Sequence, residues 1–317
     1  MRGSVSTDLP KKADHDMAIS QYIKEIGRGK EGARPLSREQ AADLMGQVLD
    51  GTVTDLEIGA FCLAMRIKGE TPEEMAGFLD ATHARMTRMP PSLKPMVVLP
   101  SYNGARKLPV LTPLLALLLA RRGASVLVHG TPTEEARVPA AAVLSALGTP
   151  SLVAVRPLKA GELVYAPTGL LLPGLKRLLE VRRAVGLRNS AHSMVKLMSP
   201  CQGPSVLVSS YTHPEYAESM AATLALTGQR ALLLRGTEGE VVADPRRTPE
   251  MTAYMDGQAH RWQEAQQGPL ASLPELPRDI SAASTANYIQ LVLAGKLPVP
   301  APIARQVEHI LRLVEHP

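Results

Sequence analysis

Residues 94–130 read KPMVVLPSYNGARKLPVLTPLLALLLARRGASVLVHG. A short apolar run, MVVLP, stops at a polar turn, and a long leucine-rich segment follows. A second short run, SVLVHG, comes after Gly123. Short β-branched runs bounded by Pro and Gly read as strands, and the longer stretch between them as a helix. Two strands joined through a crossover helix lie parallel. The alternation continues with helix PAAAVLSALG, strand GELVYAP and the helical stretch GLKRLLEVRRAVGLRNSAHSMVKLM, which breaks near Gly186–Asn189. Strand PSVLVSSY, helix PEYAESMAATLALTG and strand QRALLLRG come next. This pattern predicts an α/β domain over 94–317 whose mostly parallel sheet is flanked by helices. Its C-terminal third reads as a Pro-rich stretch mixed with helices, ending in PIARQVEHILRLVEHP.

Upstream, residues 17–90 carry a helical pattern. Ser37, Thr54 and Thr71 are in N-cap positions, Gly51 and Gly69 stop the first two helices, and Pro72 opens the third. These features predict a small helical domain, joined by helices from about 170–195, behind a polar, flexible segment at 1–16. Its apolar positions outnumber what three short helices can hide, so another surface is expected to cover them.

At 45% hydrophobic and 21% charged residues, the chain has an ordinary globular composition. Cys62 and Cys201 fit no metal spacing or disulfide framework. The N-terminus has no apolar leader core, and the longest apolar tract, Leu108–Ala120, is too short for a span and holds Pro109 and Pro113. A soluble, cytoplasmic protein with no membrane association is expected. The net charge of +5 is uneven. Residues 94–247 hold 18 Lys/Arg against 9 Asp/Glu, and the remainder 17 against 21. Such one-sidedness points to an anionic partner. Aromatics are only 3%, so a ligand site would rely on backbone and charge more than on stacking.

The segments LSREQAADLMGQVLDGTVTDLEIGAFCLAMRIKGETPEEMAGFLDAT, VLVHG, GLRNSAHSMVKLMSP and LLLRGTEGE, in this order, resemble the anthranilate phosphoribosyltransferase family over nearly the whole chain. The resemblance implies a nucleoside phosphorylase/phosphoribosyltransferase-like fold. In that family a Gly-Thr-Gly-Gly-Asp loop holds the pyrophosphate of phosphoribosyl pyrophosphate, and an Asp-Glu pair holds Mg²⁺. Here the loop positions are Pro100, Ser101, Tyr102, Asn103 and Gly104, and the acidic pair is Val241–Val242. Proline has no N–H, a tyrosine hinders close backbone approach, and two valines cannot ligate a hard cation. Glu134 and Glu135 would repel a pyrophosphate, while Arg137 keeps a positive charge at the family's lysine. Arg188 matches the family's anthranilate-carboxylate arginine. His129 matches a pocket histidine, and is either a ligand contact or a packed strand-end residue.

As the loop's glycines are lost, cations appear: Arg106 and Lys107 in the turn, Lys196 in place of the family's proline and Arg235 in place of its histidine, with Arg246 and Arg247 beyond. The combination PSYNGARK, RNSAHSMVKL and RGTEGE…ADPRR resembles a branch of nucleic-acid-binding paralogues of this family. That resemblance implies a homodimer binding DNA or RNA with little sequence preference through a basic groove. Arg106, Lys107, Arg137, Arg188, Lys196, Arg235, Arg246 and Arg247 would contact phosphates. Ser101, Tyr102, Asn103, His129, Asn189 and His192 would be the residual cleft. No catalytic residue, metal or cofactor is implied. Two alternatives stand beside this: a transferase or phosphorylase with an altered donor or acceptor, and a regulator or adaptor for which nucleic acid is incidental. In the first reading the turn exchanges backbone donors for side-chain cations.

Overall fold

The computed structural model describes residues 19–270 and 273–316, so the segment expected to be flexible at 1–16 lies outside it. Five helices come first: α1 (Ser20–Ile26), the single turn α2 (Gly29–Gly32), α3 (Arg38–Asp50), α4 (Asp55–Lys68) and α5 (Pro72–Arg85). The caps read from sequence form complete capping boxes, Ser37 with Gln40, Thr54 with Glu57 and Thr71 with Glu74. Each box satisfies two otherwise orphaned N–H groups, which is why these short helices start where they do.

The larger domain runs β1 (Met96–Pro100), α6 (Thr112–Arg121), β2 (Val126–Gly130), α7 (Ala140–Ala146), β3 (Leu163–Pro167), α8 (Thr168–Leu171), α9 (Pro173–Val185) and α10 (Ala191–Leu197). It continues through β4 (Ser205–Tyr211), α11 (Pro214–Thr227), β5 (Ala231–Arg235), β6 (Met251–Met255), β7 (Gln258–Gln263), α12 (Ala282–Leu293) and α13 (Ala301–Glu315). The sheet order is β3-β2-β1-β4-β5-β6-β7, with β1 to β5 mutually parallel. Side chains alternate across it. Met96 and Val98 join the core shared with Phe61, Phe78 and Leu178, while Val97 and Leu99 join the core under Leu115, Val143, Ile289 and Ile310.

One part of the C-terminal reading is corrected. The expected mix of Pro-rich chain and helices contains an antiparallel hairpin, β6–β7. Its turn is Asp256-Gly257, both at positive φ (50° and 76°), the pairing that two-residue hairpins favour. The strand β7 is an exposed edge, so its polar sequence hid it from a hydrophobic-pattern search.

The strand order reverses between β1 and β4. Crevices at such a switch point, beyond the carboxyl ends of the strands, are where open α/β sheets take ligands. The helical domain closes over this edge, with α5 packed on α11 and α10. Among the described residues no helix is long and apolar enough to cross a membrane.

Candidate functional site

The turn after β1 still presents converging backbone donors. The N–H groups of Asn103 and Gly104 point at one carboxylate oxygen of Glu240, at 3.0 and 2.8 Å. The Ser101 and Thr112 hydroxyls donate to the other oxygen, the latter at 2.9 Å. Three residues on, the N–H groups of Arg106 and Lys107 donate to Glu238 at 2.7 and 3.0 Å. Glu240 is 2% exposed. The 236–240 segment therefore lays two carboxylates along the phosphate-type turn, where backbone N–H groups would cradle an anion. Gly239 lets the two segments approach: at φ 89°, a Cβ there would sit 1.9 Å from the Asn103 side-chain nitrogen, Nδ2. Glu238 itself takes a left-handed φ of 54° to reach its donors. The expected exchange of backbone donors for side-chain cations is thus corrected. The donors remain, and the chain's own carboxylates occupy them.

Glu134 gathers the arginines. Its carboxylate accepts from Arg182 at 2.8 Å and Arg188 at 3.0 Å, and lies 3.5 Å from Arg137. Partial burial resists its ionisation, but the hydrogen bonds from Arg182 and Arg188 and the Arg137 charge outweigh this and hold it at about 2. Arg188 also donates to the Asn103 side-chain oxygen at 2.9 Å, tying the arginine cluster to the turn.

Below Arg188 a cleft of about 640 Å³ opens between α4–α5 and the β4–α11 edge. Tyr102, Asn189, His192 and Lys196 line it, with Arg66 and Tyr216 at its mouth. Tyr102 is no exposed stacking platform. It is 4% exposed and its hydroxyl donates to the His192 carbonyl at 3.1 Å. Lys196, 8% exposed, donates to the Ser210 carbonyl at 2.6 Å. Burial and then the nearby Arg188 charge bring it down to about 8, against an opposing pull from Glu240. His192 is likewise held neutral, at about 3, by burial and Arg188.

The structure brings together Tyr102, Arg188, Asn189, His192 and Lys196 in the cleft, and Ser101, Asn103, Arg106, Lys107 and Arg137 around the turn. The Arg106 and Lys107 side chains are exposed. Arg235 is exposed at the end of β5, beside the cleft residue Tyr211. Arg246 is clamped by both oxygens of Asp244 and lines a second groove, while Arg247 donates to the Gln266 carbonyl; neither lines the cleft. His129 is fully buried with neither ring nitrogen hydrogen-bonded, and burial alone lowers it to about 3. It lies outside the cleft lining, as a packed strand-end residue. Val241 and Val242 are core residues at 0% and 1% exposure, so they do not fit the Mg²⁺ role of the family's acidic pair. Among the described residues no three His, Cys, Asp or Glu side chains converge as a metal site.

Sequence reasoning passed over Glu238, Glu240, Arg182 and Arg66. Two acids at alternate positions after β5, in a loop bound to meet the phosphate-type turn, were the available signal.

The helical domain, the switch-point cleft and the anion-cradling turn define an anthranilate phosphoribosyltransferase-like class of protein. Residues 20–86 match the helical bundle domain of the glycosyl transferase family. The chain is 41% identical over 298 residues to the uncharacterized protein YbiB of Escherichia coli, covering 92% of each. It is 29% identical over 292 residues to the anthranilate phosphoribosyltransferase of Symbiobacterium thermophilum, covering 88% of this chain and 82% of that one. The crystal structure of anthranilate phosphoribosyltransferase from Thermus thermophilus superposes with a TM-score of 0.70 at 21% identity, over 94% of this chain and 88% of that one. The chain belongs to this glycosyl transferase family, as a relative of YbiB.

Proposed function

We propose that this protein is a non-catalytic homodimer that binds nucleic acid, DNA or RNA, largely independently of sequence. One observation carries the reading: Glu238 and Glu240 fill the donors that a transferase of this fold would offer to a pyrophosphate. With that subsite closed, the cations facing solvent include Arg106, Lys107 and Arg235, beside a cleft walled by Arg66, Arg188 and Lys196. Side-chain cations spread over such a surface suit a chain of phosphates better than one small anion.

Leu56, Leu63 and Ile67 of α4 are 85%, 47% and 58% exposed and share one helical face. A second copy covering that face doubles the basic surface. The reading includes the cytoplasm, where the two buried free thiols stay reduced.

The test is a charge reversal, R106E/K107E, followed by anisotropy of a labelled single-stranded oligonucleotide over a salt series. Binding should weaken, and the slope of log K against log salt should flatten by about 0.7 for each lost contact. Unchanged affinity and slope overturn the groove. A second reading, a transferase with an altered substrate, draws on the family and on a cleft of small-molecule size. Turnover of phosphoribosyl pyrophosphate with Mg²⁺ would establish it instead.

A further inference from the structure

Lys196 is an unusual residue for the floor of this cleft. Lysine is almost never fully buried without a paired acid, yet no carboxylate of the described residues forms an ion pair with this one. The end of α10 aims its ammonium at β4, where the Ser210 carbonyl is its one hydrogen-bond acceptor among the described residues. The Tyr102 ring lies 5.9 Å from Nζ on the turn side. Two of the three amine positions therefore have no protein acceptor, and the side chain lines the cleft.

One turn earlier, His192 presents a matching feature. Its Nδ1 lies 3.3 Å from the Asn189 backbone nitrogen and 3.2 Å from the Asn189 carbonyl oxygen, so Asn189 engages Nδ1 in either tautomer and leaves Nε2 facing away. That Nε2 is buried without a partner in the same cleft lining. An unpartnered ring nitrogen thus stands in the same cleft lining as the amine, with the Arg188 charge acting on both.

We infer that Lys196 is a nucleophilic amine that captures the aldehyde carbon of a phosphate-bearing sugar in this cleft. The inference rests on reading the cleft as a phosphate-ligand site. The amine adds its lone pair to the aldehyde carbon, and the carbonyl electron pair moves to the oxygen, which takes a proton. The carbinolamine then loses that oxygen as water, together with the second amine proton, leaving an imine with no change of oxidation state. His192 Nε2 is positioned to hydrogen-bond the ligand's hydroxyl or carbonyl groups, and Arg188 to attract its phosphate. Desolvation and the Arg188 charge that bring Lys196 to about 8 leave roughly a tenth of it as free amine at neutral pH.

The experiment treats the full chain with pyridoxal 5′-phosphate, reduces it with borohydride and maps the label by peptide mass spectrometry. Parallel arms use ribose 5-phosphate, as a free sugar phosphate, and an oligonucleotide with one internal aldehydic sugar, as a strand-borne one. Unphosphorylated pyridoxal and ribose are the controls. Of the 11 lysines, Lys196 should carry the dominant label, at least tenfold faster with phosphorylated than with unphosphorylated probes. The label should vanish at this position in folded K196M. Which arm reacts identifies the source of the aldehyde.

Labelling confined to exposed lysines such as Lys107 and Lys176 overturns the inference. If intact oligonucleotides still bind in that case, the nucleic-acid reading stands without it. Lys196 labelling in a protein that binds no oligonucleotide overturns the nucleic-acid reading and leaves the amine.

Discussion

Replacing Glu240 by alanine removes the acceptor of four hydrogen bonds at a site that is 2% exposed. The Ser101 and Thr112 hydroxyls can rotate to other partners, but the Asn103 and Gly104 N–H groups are fixed by the backbone. Each buried donor left without an acceptor costs about 1–3 kcal/mol, so Glu240→Ala should lose roughly 2–6 kcal/mol of stability. Glu240→Gln keeps one acceptor oxygen and gives its amide N–H groups to the two hydroxyl oxygens, losing only about 1 kcal/mol. The emptied turn is then an anion site. Inorganic phosphate at ten times its Kd should return about 1.4 kcal/mol to the alanine variant and nothing to the parent. Urea unfolding with phosphate against chloride, at matched ionic strength, reads both effects. An alanine variant within about 0.5 kcal/mol of the parent, or phosphate stabilising both alike, refutes the reasoning.

Glu134→Gln removes the counter-charge shared by Arg137, Arg182 and Arg188. Oligonucleotide affinity should rise roughly fivefold, about 1 kcal/mol, and titration by anisotropy at fixed salt checks it. His129 and His192 are depressed to about 3, so the unfolded chain takes up their protons first as pH falls. Their contribution is complete above about 6.5 and is lost on the way down to 3, at about 1.4 kcal/mol per pH unit for each group. His83, also depressed, acts with the same sign, and the raised carboxyl of Glu70 acts against it. Urea midpoints should therefore fall between pH 6.5 and 5, with a shallower slope in His192→Gln; flat midpoints would contradict the assignment. On α4, Leu63→Glu places a charge on the exposed apolar face, and sedimentation should show a dimer become a monomer.

The fold was legible where burial imprints a period on the sequence. The strand MVVLP is buried on both faces and reads as an unbroken apolar run, whereas the solvent-edge strand QAHRWQ carries no such imprint. At the site, residue types were legible and partners were not. Arg188, Lys196 and Tyr102 stood out against the family's motifs, the first as a match and the other two as departures. Nothing local says that Glu240 reaches a turn 136 residues earlier, or that Glu134 neutralises arginines 48 and 54 residues later. A count of charges treats Arg137 and Arg188 as available, and the folded chain pairs both with one carboxylate. Long-range pairing of this kind is decided by packing, which composition does not encode.

The most direct measurement is competition. A labelled single-stranded oligonucleotide is bound at low salt, and Mg²⁺-phosphoribosyl pyrophosphate is titrated in at constant ionic strength. A turn filled by Glu238 and Glu240 predicts no displacement beyond that of an inert salt, together with steep loss of binding as salt rises. Displacement at micromolar phosphoribosyl pyrophosphate, or no oligonucleotide binding at low salt, would contradict it.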